Sequence, residues 1–432
     1  MTSRPGNAVD AYFGLKEKGS NIRTEVMAGA STFLVLSYIF FVNPAILADA
    51  GMDKGAVFFA TVVASGLATI AMGLWARLPF VLAPGMEMNA YVAYFAVAVV
   101  GLSWQEALGA VFWSGVLFVI LTLTSIREKI IASIPDPMKD GLSLAVGVFL
   151  ALIAGKITGV LEFEGIHLAG MGDWATPSAV GLYVGVAAVV LLDRLNFRGA
   201  VIASVVLSSV VCHLMGLGGG GEEVQSAGPF SAVGVADLSV IFSGPATSII
   251  IVLFLVDFYG SVAKIVGLSA HTSIQVAGRV PRLRQALLVD SVGTSLASLL
   301  GTTNLTVYVE SGVGIGTGGR TGLTAVTCGV LMMAMLVISP LVKLVPLAAT
   351  AGALVFVALK MIPARRVFMG YGMVDVVCIL LMQVVVIVTF ALDRAVLVGL
   401  TVYLVRDLAA GKKPSRYVVL SVVLLGVGWG LQ

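Results

Sequence analysis

Fourteen mostly apolar stretches of roughly 15–25 residues recur along this 432-residue chain, and runs of that length cross about 30 Å of hydrocarbon. They fall near residues 27–47, 55–76, 84–100, 106–125, 139–155, 177–193, 199–216, 247–268, 286–300, 303–316, 321–340, 344–360, 371–391 and 393–431. Lys412, Lys413 and Arg416 interrupt the last run, which therefore reads as one span or as two short helices. Only 11% of the residues are charged and 59% are hydrophobic, whereas a soluble domain carries about 25% charged residues. So little charge cannot cover a water-facing surface, and a lipid bilayer is the expected solvent. Residues 1–24 hold Arg4, Asp10, Lys16, Glu17, Lys18 and Arg23 without an apolar core. They read as a tail rather than a cleaved signal peptide. A net charge of +3 supplies no basic stripe for nucleic acid.

The loops between the runs alternate in charge. Arg23, Arg77, Arg127 with Lys129, Arg194 with Arg198, Arg279 with Arg282 and Arg284, and Arg365 with Arg366 occupy one set. Asp49 with Asp53, Glu106, Glu162 with Glu164, and Glu222 with Glu223 occupy the other. Positive loops stay in the cytoplasm. The parity therefore predicts a multi-pass inner-membrane (plasma-membrane) protein with a cytoplasmic N-terminus and an extracytoplasmic loop over residues 217–246.

Two segments are too irregular for plain helices: Leu82-Ala83-Pro84-Gly85-Met86-Glu87-Met88-Asn89, and residues 301–312 from Gly301 through Asn304, Tyr308 and Glu310 to Gly312. Non-helical backbone survives at membrane depth only where protein or a cavity surrounds it. These segments open the third and tenth runs. A shift of seven spans inverts orientation, so the pair predicts two inverted halves of seven. Broken helices at matching places in inverted repeats mark the central site of a secondary transporter.

Charged residues inside spans point to the same place. Asp257 lies within Ile249–Tyr259, and Glu310 follows the second broken segment. A carboxylate at bilayer depth is costly, about 2.5–3.5 kcal/mol on insertion scales, and such residues usually serve function. Each accepts two hydrogen bonds, which suits the N–H edge of a planar ring, and each can carry a proton for coupled transport. Glu87 lies in the first broken segment. Lys264 is seven residues after Asp257 and on the same helical face; it either snorkels to the interface or pairs with Glu87 or Asp257. Asn89, Asn304 and Tyr308 either hydrogen-bond a substrate or satisfy the broken backbone. Phe258, Tyr259, Tyr91, Tyr94 and Phe95 either stack on a planar ligand or pack in the core. Cys212, Cys328 and Cys378, and likewise His167, His213 and His271, lack metal-ligand spacing. No cofactor and no enzymatic nucleophile–base pair is expected. Gly314, Gly316 and Gly319 match a dinucleotide fingerprint only formally and read instead as close helix packing.

Several blocks resemble the azaguanine-resistance-type purine permeases of the nucleobase–cation symporter 2 group, relatives of the nucleobase–ascorbate transporters. They are Arg23–Phe33 (RTEVMAGASTF), Phe41–Leu47 (FVNPAIL), Leu82–Met86 (LAPGM), Val309–Gly312 (VESG) and Gly318–Ala325 (GGRTGLTA). The resemblance runs from about Arg23 to Pro363. It implies an all-α polytopic fold of about fourteen spans as seven-plus-seven inverted repeats. Residues 25–125 and 247–340 would form a core domain, and residues 126–216 and 341–432 a gate domain. It implies a homodimer that carries purine bases by proton symport, with Asp257 and Glu310 as the family's eighth- and tenth-span carboxylates.

Two departures fall beside that site. The family pattern Phe-Asp-Thr-Thr-Gly-Thr after the eighth-span acid reads Tyr259-Gly260-Ser261-Val262-Ala263-Lys264 here, and the second glycine of Pro-Gly-Met-Gly-Leu-Asn is Glu87. The added acid and base either rebuild the site as an ion pair or select another, more acidic heterocycle. The expected substrate set is Asp257, Glu310, Glu87, Met86, Asn89, Val309, Tyr308, Ser261 and Phe258, with backbone N–H groups of 86–89 and 308–310 meeting the ring's carbonyls. Glu310 and Asp257 are the expected proton carriers. The alternative is a same-fold carrier of an organic or inorganic anion, or of an acidic heterocycle, through Lys264.

Overall fold

A computed structural model describes residues 8–124, 135–164, 167–195, 197, 200–217, 228–269, 272–276, 280–337, 345–360, 362, 370–390, 392–416, 418–419, 422–423 and 426. The charged residues Arg127, Lys129, Arg198, Glu222, Glu223, Arg279, Arg365 and Arg366, and His271, lie outside them.

Local sequence starts each long helix. After the short α1 (Ala8–Phe13), the Asn21 side chain accepts from Thr24 N to open α2 (Ile22–Leu36). Ser37 and Tyr38 interrupt the first span, which resumes as α3 (Ile39–Asp49). Asp53 caps α4 (Lys54–Ala71) through Ala56 N. Ser103 and Glu106 form a reciprocal capping box on α6 (Trp104–Leu123). Such caps satisfy N–H groups that a helix start leaves without intrahelical partners.

The expected third and tenth spans are not simply broken helices. Each begins as a strand: β1 (Leu82–Pro84) leads into α5 (Met86–Ala90) and a π-helical turn, Tyr91–Val97. Strand β4 (Leu305–Val307) is its counterpart in the second half. The last run divides, with a helix over Leu392–Ala409, a turn, and helical residues again from Arg416. A hairpin of β2 (Leu161–Glu164) and β3 (His167–Met171) stands where the sequence suggested only a loop. The remaining helices are α7 (Asp136–Thr158), α8 (Pro177–Arg194), α9 (Ala200–Leu214), α10 (Gly244–Ser269), α11 (Leu283–Leu300), α12 (Ser311–Gly316), α13 (Gly322–Ala334), α14 (Leu347–Lys360), α15 (Met373–Thr389) and α16 (Leu392–Ala409). Six helical stretches among the described residues are long and apolar enough to cross a membrane: Ile22–Asp49, Lys54–Ala76, Trp104–Leu123, Asp140–Thr158, Pro177–Arg194 and Gly244–Val262. Outward faces carry Leu214, Met373, Leu380, Val384 and Val388 in the open, an apolar surface that suits lipid rather than water.

The segment read as a loop over 217–246 is partly folded in its described portion. Gly234 N donates to Leu299 O (2.7 Å) and Trp113 Nε1 to Leu238 O (2.8 Å), which pins it across α11 and α6. Gly301 ends α11 at φ 102°, in the left-handed region that favours glycine.

Helices from the two halves interleave. α6 packs on α11, and α13 packs on α2 and α4; α14 packs on α7 and α8, and α15 on α7 and α16. Small residues set the crossings, as expected in membranes. A Cβ on Gly329 would stand 2.8 Å from Gly66 O, and one on Gly319 2.9 Å from Ala28 Cβ. The glycine-rich stretch after Glu310 is therefore a packing surface against α2. Cys212, Cys328 and Cys378 are buried and free.

The N-terminal segment lies on one face with the ends of other elements. The Arg77 guanidinium sits 4.3 Å over the Tyr12 ring, Lys18 Nζ donates to Ser273 O (3.0 Å), and Arg282 Nη1 to Trp75 O (3.3 Å). Arg77 and Arg282, placed in one loop set by their charge, share this face. At the far end of α7, Lys156 Nζ lies 5.9, 5.5 and 5.2 Å from the rings of Tyr94, Phe163 and Phe390.

Candidate functional site

The site is organised by the two short strands. β1 and β4 run antiparallel in the register Leu82↔Val307, Ala83↔Thr306 and Pro84↔Leu305. Tyr308 N to Val81 O and Gly85 N to Asn304 O, both 3.0 Å, extend the ladder. Each strand thus satisfies the other's backbone, as non-helical backbone buried inside a membrane protein requires. α5 and α12 then leave from opposite ends of the ladder, which brings Glu87 and Glu310 beside it. The ladder corrects one expectation: Tyr308 N is spent on Val81, and Met88 N and Asn89 N donate to Gly85 O. These N–H groups do not await a substrate carbonyl.

Glu310 faces back to the first span. Its Oε1 accepts from the Tyr38 hydroxyl at 3.0 Å, and its buried Oε2 has no hydrogen-bond partner among the described residues. The interruption of the first span at Ser37–Tyr38 places that hydroxyl. Asp257, on α10, is buried; its Oδ2 accepts from Thr294 Oγ1 (3.2 Å) and Asn304 Nδ2 (3.3 Å), while Oδ1 has no partner among the described residues. A buried acceptor without a donor costs about 1–3 kcal/mol. One oxygen of each carboxylate is thus left without a donor among the described residues.

Lys264 turns inward instead of snorkelling. Its Nζ lies 3.6 Å from Glu87 Oε1 and 3.4 Å from Thr306 Oγ1. Ser261 Oγ bonds Thr306 Oγ1 (3.0 Å) and accepts from Val307 N (3.2 Å), which ties α10 to β4.

Other expected residues serve the scaffold. The Tyr308 hydroxyl donates to Pro84 O (2.5 Å), and Asn89 accepts from the Thr303 hydroxyl. Asn304 donates to Ser114 Oγ (2.9 Å) as well as to Asp257. Phe258 is fully buried, with ring centroids 5.3 Å from Phe118 and 5.7 Å from Phe254, and Tyr91 stacks on Phe95 at 4.9 Å. Met86 is buried, whereas Val309 is 49% exposed.

Three residues escaped the sequence reading. Tyr38 carried no signal beyond a polar pair in an apolar run. Asp290, in the ninth span, is fully buried and close enough to Asp257 and Lys264 to feel both charges. It interrupts Leu287-Leu288-Val289, the same signal that revealed Asp257. Glu25 is fully buried and takes hydrogen bonds from Arg320 N (2.9 Å), Thr321 N (3.2 Å) and Thr324 Oγ1 (2.5 Å). It caps α13, where a helix start favours an anion, and so joins two of the sequence blocks singled out above.

The chain matches the family model Xan_ur_permease, described as Permease family, over residues 23–392. It is 34% identical to the adenine permease AdeQ of Escherichia coli over 95% of this chain and 93% of that protein. It is also 34% identical to the guanine/hypoxanthine permease PbuO of Bacillus subtilis over 77% of this chain and 78% of the relative. The transmembrane domain of the cyanobacterial bicarbonate transporter BicA superposes with a TM-score of 0.65 at 15% identity, over 88% of this chain and 97% of that one.

Proposed function

The chain belongs to this permease family, of the nucleobase–cation symporter 2 group, and from that premise we propose that it carries a purine nucleobase across the membrane, driven by protons. It is a multi-pass membrane transporter and not an enzyme, with the inverted-repeat helical fold. The observation that carries the substrate reading is the pair of buried carboxylate oxygens, Asp257 Oδ1 and Glu310 Oε2, that have no donor among the described residues. A purine supplies ring or amino N–H groups to both. Adenine and guanine/hypoxanthine permeases among the relatives support a purine of this class.

Transport follows by alternating access. Residues 25–125 and 247–340 form a core that holds the site, and it moves against a gate of residues 126–216 and 341–432. Glu310 and Asp257 take up the coupling proton, and discharge follows when the core reaches the other face. The protein resides in the inner membrane as a homodimer with its N-terminus in the cytoplasm, where the basic loops belong. The anion reading is weaker. Its support is a shared fold at low identity, and the site sets Glu87, Asp257, Asp290 and Glu310 around Lys264.

Thermal stabilisation of the purified protein tests the substrate class, because a ligand of the folded state raises the melting temperature by mass action. Purines are expected to stabilise it and inorganic anions to leave it unchanged. Stabilisation by bicarbonate or sulfate without any by purines would overturn the reading.

A further inference from the structure

Glu87 and Lys264 have side chains 10% and 15% exposed and lie 3.6 Å apart, whereas Asp257 and Asp290 are buried. A ligand bound for Asp257 therefore meets this pair first. Hydrogen-bond donors near the carboxylates are largely committed: Tyr38 to Glu310, Thr294 to Asp257, Asn304 to Ser114 and Asp257, and Tyr308 to Pro84. The amide nitrogen of Asn89 has no partner among the described residues, but that side chain is fully buried.

Lys264 differs from all of these. An ammonium has three donors, and its two contacts, 3.6 Å to Glu87 and 3.4 Å to Thr306, exceed the usual 2.7–3.2 Å N–H···O range. Gly260, one turn before it, adds no side chain beside the ammonium: a Cβ there would stand 3.9 Å from Lys264 Nζ. The loosely held donor, with 15% of its side chain exposed, is thus within reach of an incoming acceptor.

We infer that Lys264 is a specificity-determining residue that donates to a ring carbonyl, so that this site selects oxo-bearing purines over those with hydrogen or an amino group at the same position. The inference rests on the purine reading above and narrows it. A carbonyl oxygen accepts from the ammonium in a charge-assisted hydrogen bond, about twice as strong as a neutral one. An amino group at that position offers only N–H, which the ammonium repels. Glu87 holds the ammonium in place and takes the neighbouring ring N–H, completing a donor–acceptor pair that matches a lactam edge.

Hypoxanthine, unsubstituted purine and adenine differ in the substituent at this ring carbon and, for hypoxanthine, in the proton on the adjacent ring nitrogen; dissociation constants in wild type and in Lys264→Met together separate the part of Lys264 from that of Glu87. Wild-type protein is expected to bind hypoxanthine at least tenfold tighter than purine or adenine. Lys264→Met keeps the stem but removes the donor, and is expected to bring the three within about threefold of one another. Lys264→Arg, which keeps a charged donor, is expected to retain the preference, as is Glu87→Gln. Equal binding of the three by wild-type protein, or an unchanged preference in Lys264→Met, would overturn the inference while leaving the purine reading intact. If Lys264→Met does not fold, equal binding of the three by wild-type protein, or loss of the preference in Lys264→Arg, still overturns the inference. Failure of wild-type protein to bind any of the three would overturn both readings.

Discussion

Tyr38 and Glu310 are 272 residues apart in sequence and 3.0 Å apart in space, hydroxyl to carboxylate. The contact couples the break in the first span to the end of the second strand. A hydrogen bond to a charged group contributes about 1.5–3 kcal/mol, and each 1.4 kcal/mol is tenfold in affinity. Tyr38→Phe should therefore weaken purine binding by about tenfold or more while the protein still folds. Substrate titration followed by intrinsic fluorescence measures this directly, and unchanged affinity would show that Tyr38 is only packing.

Glu25 closes the start of α13 from the first helix. Glu25→Ala leaves buried N–H groups without an acceptor, at a loss of about 2–3 kcal/mol, and should lower the melting temperature in detergent. Glu25→Gln keeps a neutral acceptor and should lose less. A Glu25→Gln variant that melts together with wild type would refute a role for the charge.

Gly329 faces Gly66 at a crossing of α13 with α4. A Cβ there would lie 2.7 Å from Ile70 Cγ1 and 2.8 Å from Gly66 O, closer than atoms pack. Gly329→Val should destabilise the fold by about 1–3 kcal/mol, the usual effect of overpacking. A thermal-unfolding scan that matches wild type would show that the helices separate freely at this point.

Much of this architecture is legible in the sequence, because membrane crossing demands long apolar runs and penalises buried charge. Asp257, Glu310 and the two irregular segments announce themselves for that reason. The β1–β4 pairing is not legible, since three residues such as Leu82-Ala83-Pro84 carry no strand period. Which donors are already spent is equally hidden: Tyr308 and Asn89 look available until the ladder and Thr303 claim them. Asp290 was readable by the rule that found Asp257, but the serines and threonines around it made its span look less apolar. Tyr38 is visible only once its partner across the fold is known.

Asp290 lies within reach of the charges on Asp257 and Lys264. Asp290→Asn keeps the shape but removes one of these clustered charges. It is expected to alter proton-driven accumulation more than equilibrium binding of the substrate. Parallel uptake and binding assays distinguish the two, and equal losses in both would place Asp290 in substrate binding instead.

Uptake of labelled hypoxanthine into proteoliposomes under an imposed proton gradient tests the central claim most directly, with wild-type protein and Glu310→Gln measured side by side. Wild-type vesicles should accumulate the base and lose it when a protonophore collapses the gradient, while Glu310→Gln vesicles, folded by thermal scan, should show no accumulation. Full accumulation by Glu310→Gln, or none by wild-type protein with any purine, would contradict the account.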